Sequence, residues 1–233
     1  MNLRHAYIIH YTVAYLMRKG VALKEFTDIL EIEEIEFISS NQSVDLPTLD
    51  RLMAKAKELS GDPYLGLSVG SNIHVNELQI FHPFLLGCPN LGMMATHLAA
   101  FVNAVNTYVN VDLAHEQSVP YIEYNPGVMW QIDYPETAKM VAELELILLV
   151  QLIRQATGQN PIVQLHFRSL YDFQASSHYE SVLHIPVHFG KEYNRIYLHT
   201  RAPHLSIQTY QKAYHGVPEG HIQQIKLDVG RSH

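Results

Sequence analysis

The stretch Gly61, Asp62, Pro63, Tyr64, Leu65, Gly66, Leu67, Ser68 (GDPYLGLS) sets two glycines with four residues between them and a hydroxyl two positions after the second. That is the frame of a phosphate-binding loop, and such a loop would make this an α/β nucleotide fold. The chemistry requires a Lys directly after the second Gly to reach the terminal phosphates, and the loop must leave a buried strand. Leu67 stands in the Lys slot. The preceding residues, LPTLDRLMAKAKELS, carry Leu49, Leu52, Met53, Ala56 and Leu59 at three-and-four spacing, which predicts an amphipathic helix. Gly61 is thus expected to end one helix, and Asp62 with Pro63 to cap and start the next.

Working outward, the N-terminal third is predicted helical. A helix over residues 7–19 ends at Gly20 with Arg18 and Lys19 in its last turn, and shorter helical pieces fall at LKEFTDIL and EEIEFI. A helix over 47–60 follows, then the one opening at Asp62. Asn90 caps a longer helix whose apolar stripe runs through Leu91, Met94, Leu98, Phe101, Val102, Val105 and Tyr108. Past Val109 the period changes to two. VNVDLAHE, YIEY and VMWQIDY read as strands, with NPG turning between the last two and Val128, Trp130, Ile132 and Tyr134 alternating. A second long helix over 136–157 is apolar around most of its circumference and stops at Gly158; a two-sided core is the favoured reading of that surplus. A strand IVQLHF, a helix SSHYESVLH, a turn IPVHFG, a strand NRIYLH and a helical piece HLSIQTYQKAY complete the order. The fold class is α+β: a helical N-terminal part, then a small mixed sheet packed against two long helices.

The 233 residues, 47% hydrophobic, are enough for a substantial core that removes about 70% of the extended chain's surface from water. The net charge of −7 disfavours a sequence-independent grip on DNA or on an anionic membrane. A single Cys excludes an internal disulfide and suits a reducing compartment. His5, His10, Tyr11 and Thr12 interrupt any signal-peptide core, and the most apolar run, residues 144–153, is about half the length of a membrane span. A cytoplasmic location is expected.

Three groups of residues together resemble a known family. They are Gly61, Asp62, Pro63, Leu65, Gly66, Leu67 and Gly70 after a helix; Cys88, Pro89, Asn90 and Leu91 opening another; and Tyr179, Glu180, Pro186, Val187, His188, Phe189 and Gly190 before a strand. In this order they resemble the N-terminal effector domain of AraC-family transcription regulators, of the arabinose-binding type. The resemblance covers roughly residues 5–205. It implies a small-molecule effector, a homodimer, and DNA contact only through a C-terminal domain with two helix-turn-helix units. Residues 206–233 are expected to be a frayed start of the linker towards such a domain, which is itself too large for the remaining chain.

Other chemistries find little support. The 15 His include His184 and His188, four apart, but Pro186 between them breaks the helix face a zinc pair needs, so no metal or other cofactor is expected. Cys88 precedes a capped helix with His82 and His97 near in sequence, yet a packed thiol is the favoured reading over a nucleophile. Glu143 and Glu145 fall on different helix faces and form no acid pair, so no enzyme is expected and no catalytic residue is named. Phe81, Phe84, Tyr108, Tyr124, Trp130 and Tyr134 are candidates to line an effector pocket, because such pockets are apolar and aromatic with a few polar tips. Leu205, Ile207 and Tyr210, on the last helical piece, are candidates for the dimer interface. The alternative reading is a stand-alone small-molecule binding or scaffold protein with the same fold.

Overall fold

The computed structural model describes residues 6–31, 44–73, 87–105, 108–171 and 173–208. The predicted piece EEIEFI, the candidates Phe81 and Phe84, and the chain from Thr209 onward, with Tyr210, lie outside them.

Among the described residues four helices come first: α1 (Ala6–Arg18), α2 (Lys24–Leu30), α3 (Leu46–Ser60) and α4 (Leu65–Asn72). Local signals set their ends. Asp45 accepts from the Thr48 N–H at 2.9 Å to cap α3, whose first turn holds Pro47. Gly61, at φ +60, ends α3 in the left-handed conformation that glycine adopts without a Cβ penalty, and its N–H returns to the Lys57 carbonyl at 3.0 Å. Leu49, Leu52, Met53 and Ala56 of α3 are buried, as their spacing predicts. Asp62 joins the turn to α4: Oδ1 accepts from the Tyr64 N–H at 2.8 Å and Oδ2 from the Ser68 hydroxyl at 2.5 Å. The helix itself begins at Leu65, and Leu67, in the would-be lysine slot, is buried in the core.

The rest of the chain runs α5 (Leu91–Val105), β1 (Val109–Glu116), β2 (Val119–Pro126), α6 (Val128–Asp133), α7 (Pro135–Thr157), β3 (Ile162–His166), α8 (Phe173–Leu183), β4 (Val187–His188), β5 (Arg195–Leu198) and a 3₁₀ turn, Ala202–His204. Asn90 caps α5 by accepting from the Met93 N–H at 2.9 Å. The strands form one sheet in the order β1-β2-β5-β3-β4, antiparallel except for β3 beside β4. α7 lies against the sheet at β2 and β5 and against α4 on its other side, while α5 packs along β1. Val141, Leu144, Leu146, Ile147, Leu148 and Val150 of α7 are all buried, so its all-round apolar surface fills a two-sided core. The architecture is α+β, as expected.

Two expected elements take another form. Residues 128–134 were expected to be a strand and instead form α6, with the Tyr134 N–H bonded to the Trp130 carbonyl at 2.9 Å. Only Trp130 of the alternating set is deeply buried; Val128, Met129 and Ile132 face solvent, so the period of two marks no shared face. The Gly127 N–H donates to the Tyr108 carbonyl at 2.7 Å, closing the β1–β2 ladder and turning the chain out of the sheet. The expected C-terminal helix is likewise absent at residues 205–207. These are extended alongside Pro89–Leu91, with Leu91 N–H to the Leu205 carbonyl at 2.9 Å and Ile207 N–H to the Pro89 carbonyl at 3.1 Å.

Candidate functional site

Glu143 stands in the middle of α7 among buried apolar side chains, and is itself only 1% exposed. A buried carboxylate needs donors, since leaving it unpaired costs several kcal/mol, roughly. Three hydroxyls supply them: Ser169 donates to Oε1 at 3.0 Å, and Tyr171 and Tyr179 to Oε2 at 3.2 and 2.8 Å. Burial pushes the Glu143 carboxyl above its ordinary value, against the pull of these donors and of Lys139. Burial, and then the Glu143 charge, push the Tyr171 and Tyr179 phenols far above theirs, so both stay protonated and able to donate.

The segment that carries Ser169 and Tyr171 is held by the residues from Glu180 to Gly190. Glu180 Oε1 accepts from the Val187 N–H at 3.0 Å, setting β4 beside β3. Gly190, at φ +67, sends its N–H to the Ser169 carbonyl at 2.9 Å, and the Lys191 N–H meets the Phe167 carbonyl at 3.0 Å. The Phe189 ring stacks on Phe167 at 5.4 Å and meets Tyr171 and Tyr179 edge-on at 4.8 and 5.0 Å. The Tyr-Glu and Pro-Val-x-Phe-Gly groups of the sequence thus fix a loop whose hydroxyls reach α7.

Beside this cluster lies a cleft of about 310 Å³, at the lower end of the size range of small-molecule sites. Its walls are the first half of α7 with Pro135, Lys139 and Glu143, Gln131 of α6, Arg168 and Ser169 after β3, and Asn194 before β5. Asn194 is buried and ties two walls together: Oδ1 accepts from the Arg168 N–H at 2.9 Å and Nδ2 donates to the Tyr124 carbonyl at 3.2 Å.

The four described aromatic candidates stand around this cleft rather than in its walls. Tyr124 is buried behind Asn194 with its phenol pushed well up by burial and by Glu145. Trp130 is buried on α6 next to Gln131, Tyr134 is half-buried immediately before Pro135, and Tyr108 packs on the core where Gly127 bonds to it. Of the interface candidates, Leu205 is half-buried against the core and Ile207 is fully buried within the chain. Sequence reasoning weighed Glu143 only as half of an acid pair, although its place in an apolar helix was a signal, and passed over Arg168, Ser169 and Asn194, which carried none. Cys88 is buried with Sγ 3.5 Å from His97 Nδ1. Among the described residues no three His, Cys, Asp or Glu side chains gather as a metal site would require, and no helix is long and apolar enough to cross a membrane.

The sheet face away from α7 carries a second polar cluster. Arg195 donates to Glu123 at 2.6 Å and to the Tyr197 hydroxyl at 3.2 Å, and lies over the rings of Tyr121 and Tyr193 at 4.1 and 3.8 Å. His166 sits beside His188 and Tyr197, with ring centroids 5.3 and 4.7 Å away. Burial, then the neighbouring His188, Lys191 and Arg195, hold its pKa down to about 4 from 6.5. The folded chain then binds fewer protons at this position than the unfolded one between those values, so stability falls as pH drops from 6.5 towards 4. His166→Asn is expected to flatten that part of the urea-midpoint profile; an unchanged slope would place the proton uptake elsewhere.

Sheet order, central helix and cleft define an α+β domain with a cleft of small-molecule size. The chain belongs to the family of arabinose-binding domains found at the N-terminus of AraC transcription regulators, whose model matches residues 20–205. The crystal structure of the transcriptional regulator CdpR from Pseudomonas aeruginosa has a similar fold, with a TM-score of 0.55 at 15% identity over 82% of this chain. The match covers 64% of that structure's chain, less than two thirds of it. No curated protein sequence matches.

Proposed function

We propose that this domain senses a small-molecule effector in the cleft between α7 and the segment after β3, and that it acts without catalysis, as one half of a homodimer in the cytoplasm. The observation that carries the reading is the cleft itself: it opens on α7, a helix that touches both the sheet and the N-terminal helices. An effector that favours one placement of α7 would shift the population of domain arrangements, and through it the presentation of DNA-binding domains attached beyond residue 208. Leu205 and Tyr210 remain interface candidates. The burial of Ile207 makes Ile207→Asp a test of folding rather than of dimerisation.

The test is a thermal-shift screen against a metabolite library, repeated on Gln131→Trp, which fills the cleft from α6. A ligand at 100 times its Kd stabilises by about 2.7 kcal/mol, which moves the midpoint of a chain this size by roughly 5 °C or more. Stabilisation present in the parent and lost in Gln131→Trp is expected. A library without a hit, or hits that stabilise the variant equally, would overturn the reading.

A further inference from the structure

The cleft has a charge character that narrows its ligand. Four ionisable side chains line it: Glu136, Lys139, Glu143 and Arg168. Both acids are already engaged. Glu136 Oε2 pairs with Lys57 Nζ at 3.0 Å, and Glu143 accepts from three hydroxyls. Neither base has an ion-pair partner among the described residues. Lys139 Nζ lies 3.7 Å over the Tyr171 ring, within the field of both acids, and the Arg168 guanidinium is exposed at the cleft wall. In a chain of net charge −7, a cleft whose unpaired side-chain charges are both positive is the exception.

The backbone adds to the same sign. α7 begins at the cleft with Pro135, and Tyr134 before it offers no side-chain cap, so the positive end of a 23-residue helix lies at the space; of the acids at its first turn, Glu136 turns to Lys57 and Asp50 accepts from the Thr137 hydroxyl. Arg168 is also held in place from behind, because the buried Asn194 fixes its backbone N–H. A guanidinium presents paired N–H donors that match the two oxygens of a carboxylate.

We infer that the ligand of this cleft is a small organic acid, its carboxylate bound by Arg168 and assisted by Lys139. The inference rests on the sensing role proposed above and specifies its ligand. Asn194 is a positioning residue, acting through the Arg168 backbone.

The probe is succinate, compared with its neutral counterpart succinamide, titrated into the ¹⁵N-labelled 233-residue chain at constant ionic strength. The readouts are the Arg168 Nε–H and the Asn194 side-chain amide signals. Succinate is expected to shift both saturably and succinamide to leave them in place, while Arg168→Gln weakens the response at Asn194 about tenfold or more, as expected for loss of a charged hydrogen bond. Equal shifts with succinamide would overturn the carboxylate inference and leave the sensing role standing. Succinate shifts that persist in Arg168→Gln, or no shift at the cleft with either compound, would also overturn it, and the library screen then decides the sensing role independently.

Discussion

Gly66→Val is expected to destabilise the domain by about 3 kcal/mol, seen as a fall in the urea midpoint. A Cβ at Gly66 would stand 2.6 Å from the Met140 carbonyl oxygen and 2.9 Å from Glu143 Cβ, distances that neither a backbone atom nor a packed stem relieves cheaply. Gly70, one turn on, faces the Leu144 carbonyl at 2.9 Å and Ile147 Cβ at 3.0 Å in the same way. The two glycines let α4 lie backbone to backbone against α7 on the stretch that carries Glu143. Gly87→Ala is the control, because nothing lies within 4 Å of its Cβ, and it should stay within about 0.5 kcal/mol. If Gly66→Val behaved like the control, the close contact of α4 and α7 would be wrong. The second glycine of the phosphate-loop frame is therefore a helix-contact residue, which settles what GDPYLGLS does.

Glu143→Ala is expected to cost a similar amount, about 3 kcal/mol, because it strands the hydroxyls of Ser169, Tyr171 and Tyr179 around a void. Glu143→Gln keeps the shape and one acceptor, and should cost about half as much. The two acid forms also differ with pH. Since burial raises the folded-state pKa of Glu143 above its ordinary 4.5, the folded chain binds the proton more readily than the unfolded one. This group's contribution is then fully present below 4.5 and is lost as pH rises through the folded value. The stability gap between wild type and Glu143→Gln should therefore shift in favour of wild type as pH falls through that window. A gap independent of pH would mean that Glu143 titrates alike in both states.

Much of this fold is written locally. Asp45, Asn90, Gly61 and Gly158 each mark a helix end through contacts within a few residues, so the helix ends they mark can be read from sequence. The strand expected at residues 128–134 fails because its alternation of β-favouring residues never meets a partner strand; β2 is already flanked by β1 and β5. The cleft was legible only as a neighbourhood. Tyr124, Trp130 and Tyr134 pack around it, but its walls pair α7 with Arg168, Ser169 and Asn194, which are brought there by long-range contacts. The two glutamates amid MVAELELILLV announce a buried polar requirement; which hydroxyls meet that of Glu143 is decided by the register of β3, β4 and β5.

The sheet order also has a kinetic side. Among the described residues β5 is the last strand in sequence and the middle strand of the sheet, joining the β1–β2 hairpin to the β3–β4 pair. Until residues 195–198 arrive, β2 and β3 each present an open edge, and no earlier pairing covers either. A nascent chain that stops short of them has its helices and both halves of its sheet but lacks the strand that joins those halves, and so passes through a stage of exposed ladders.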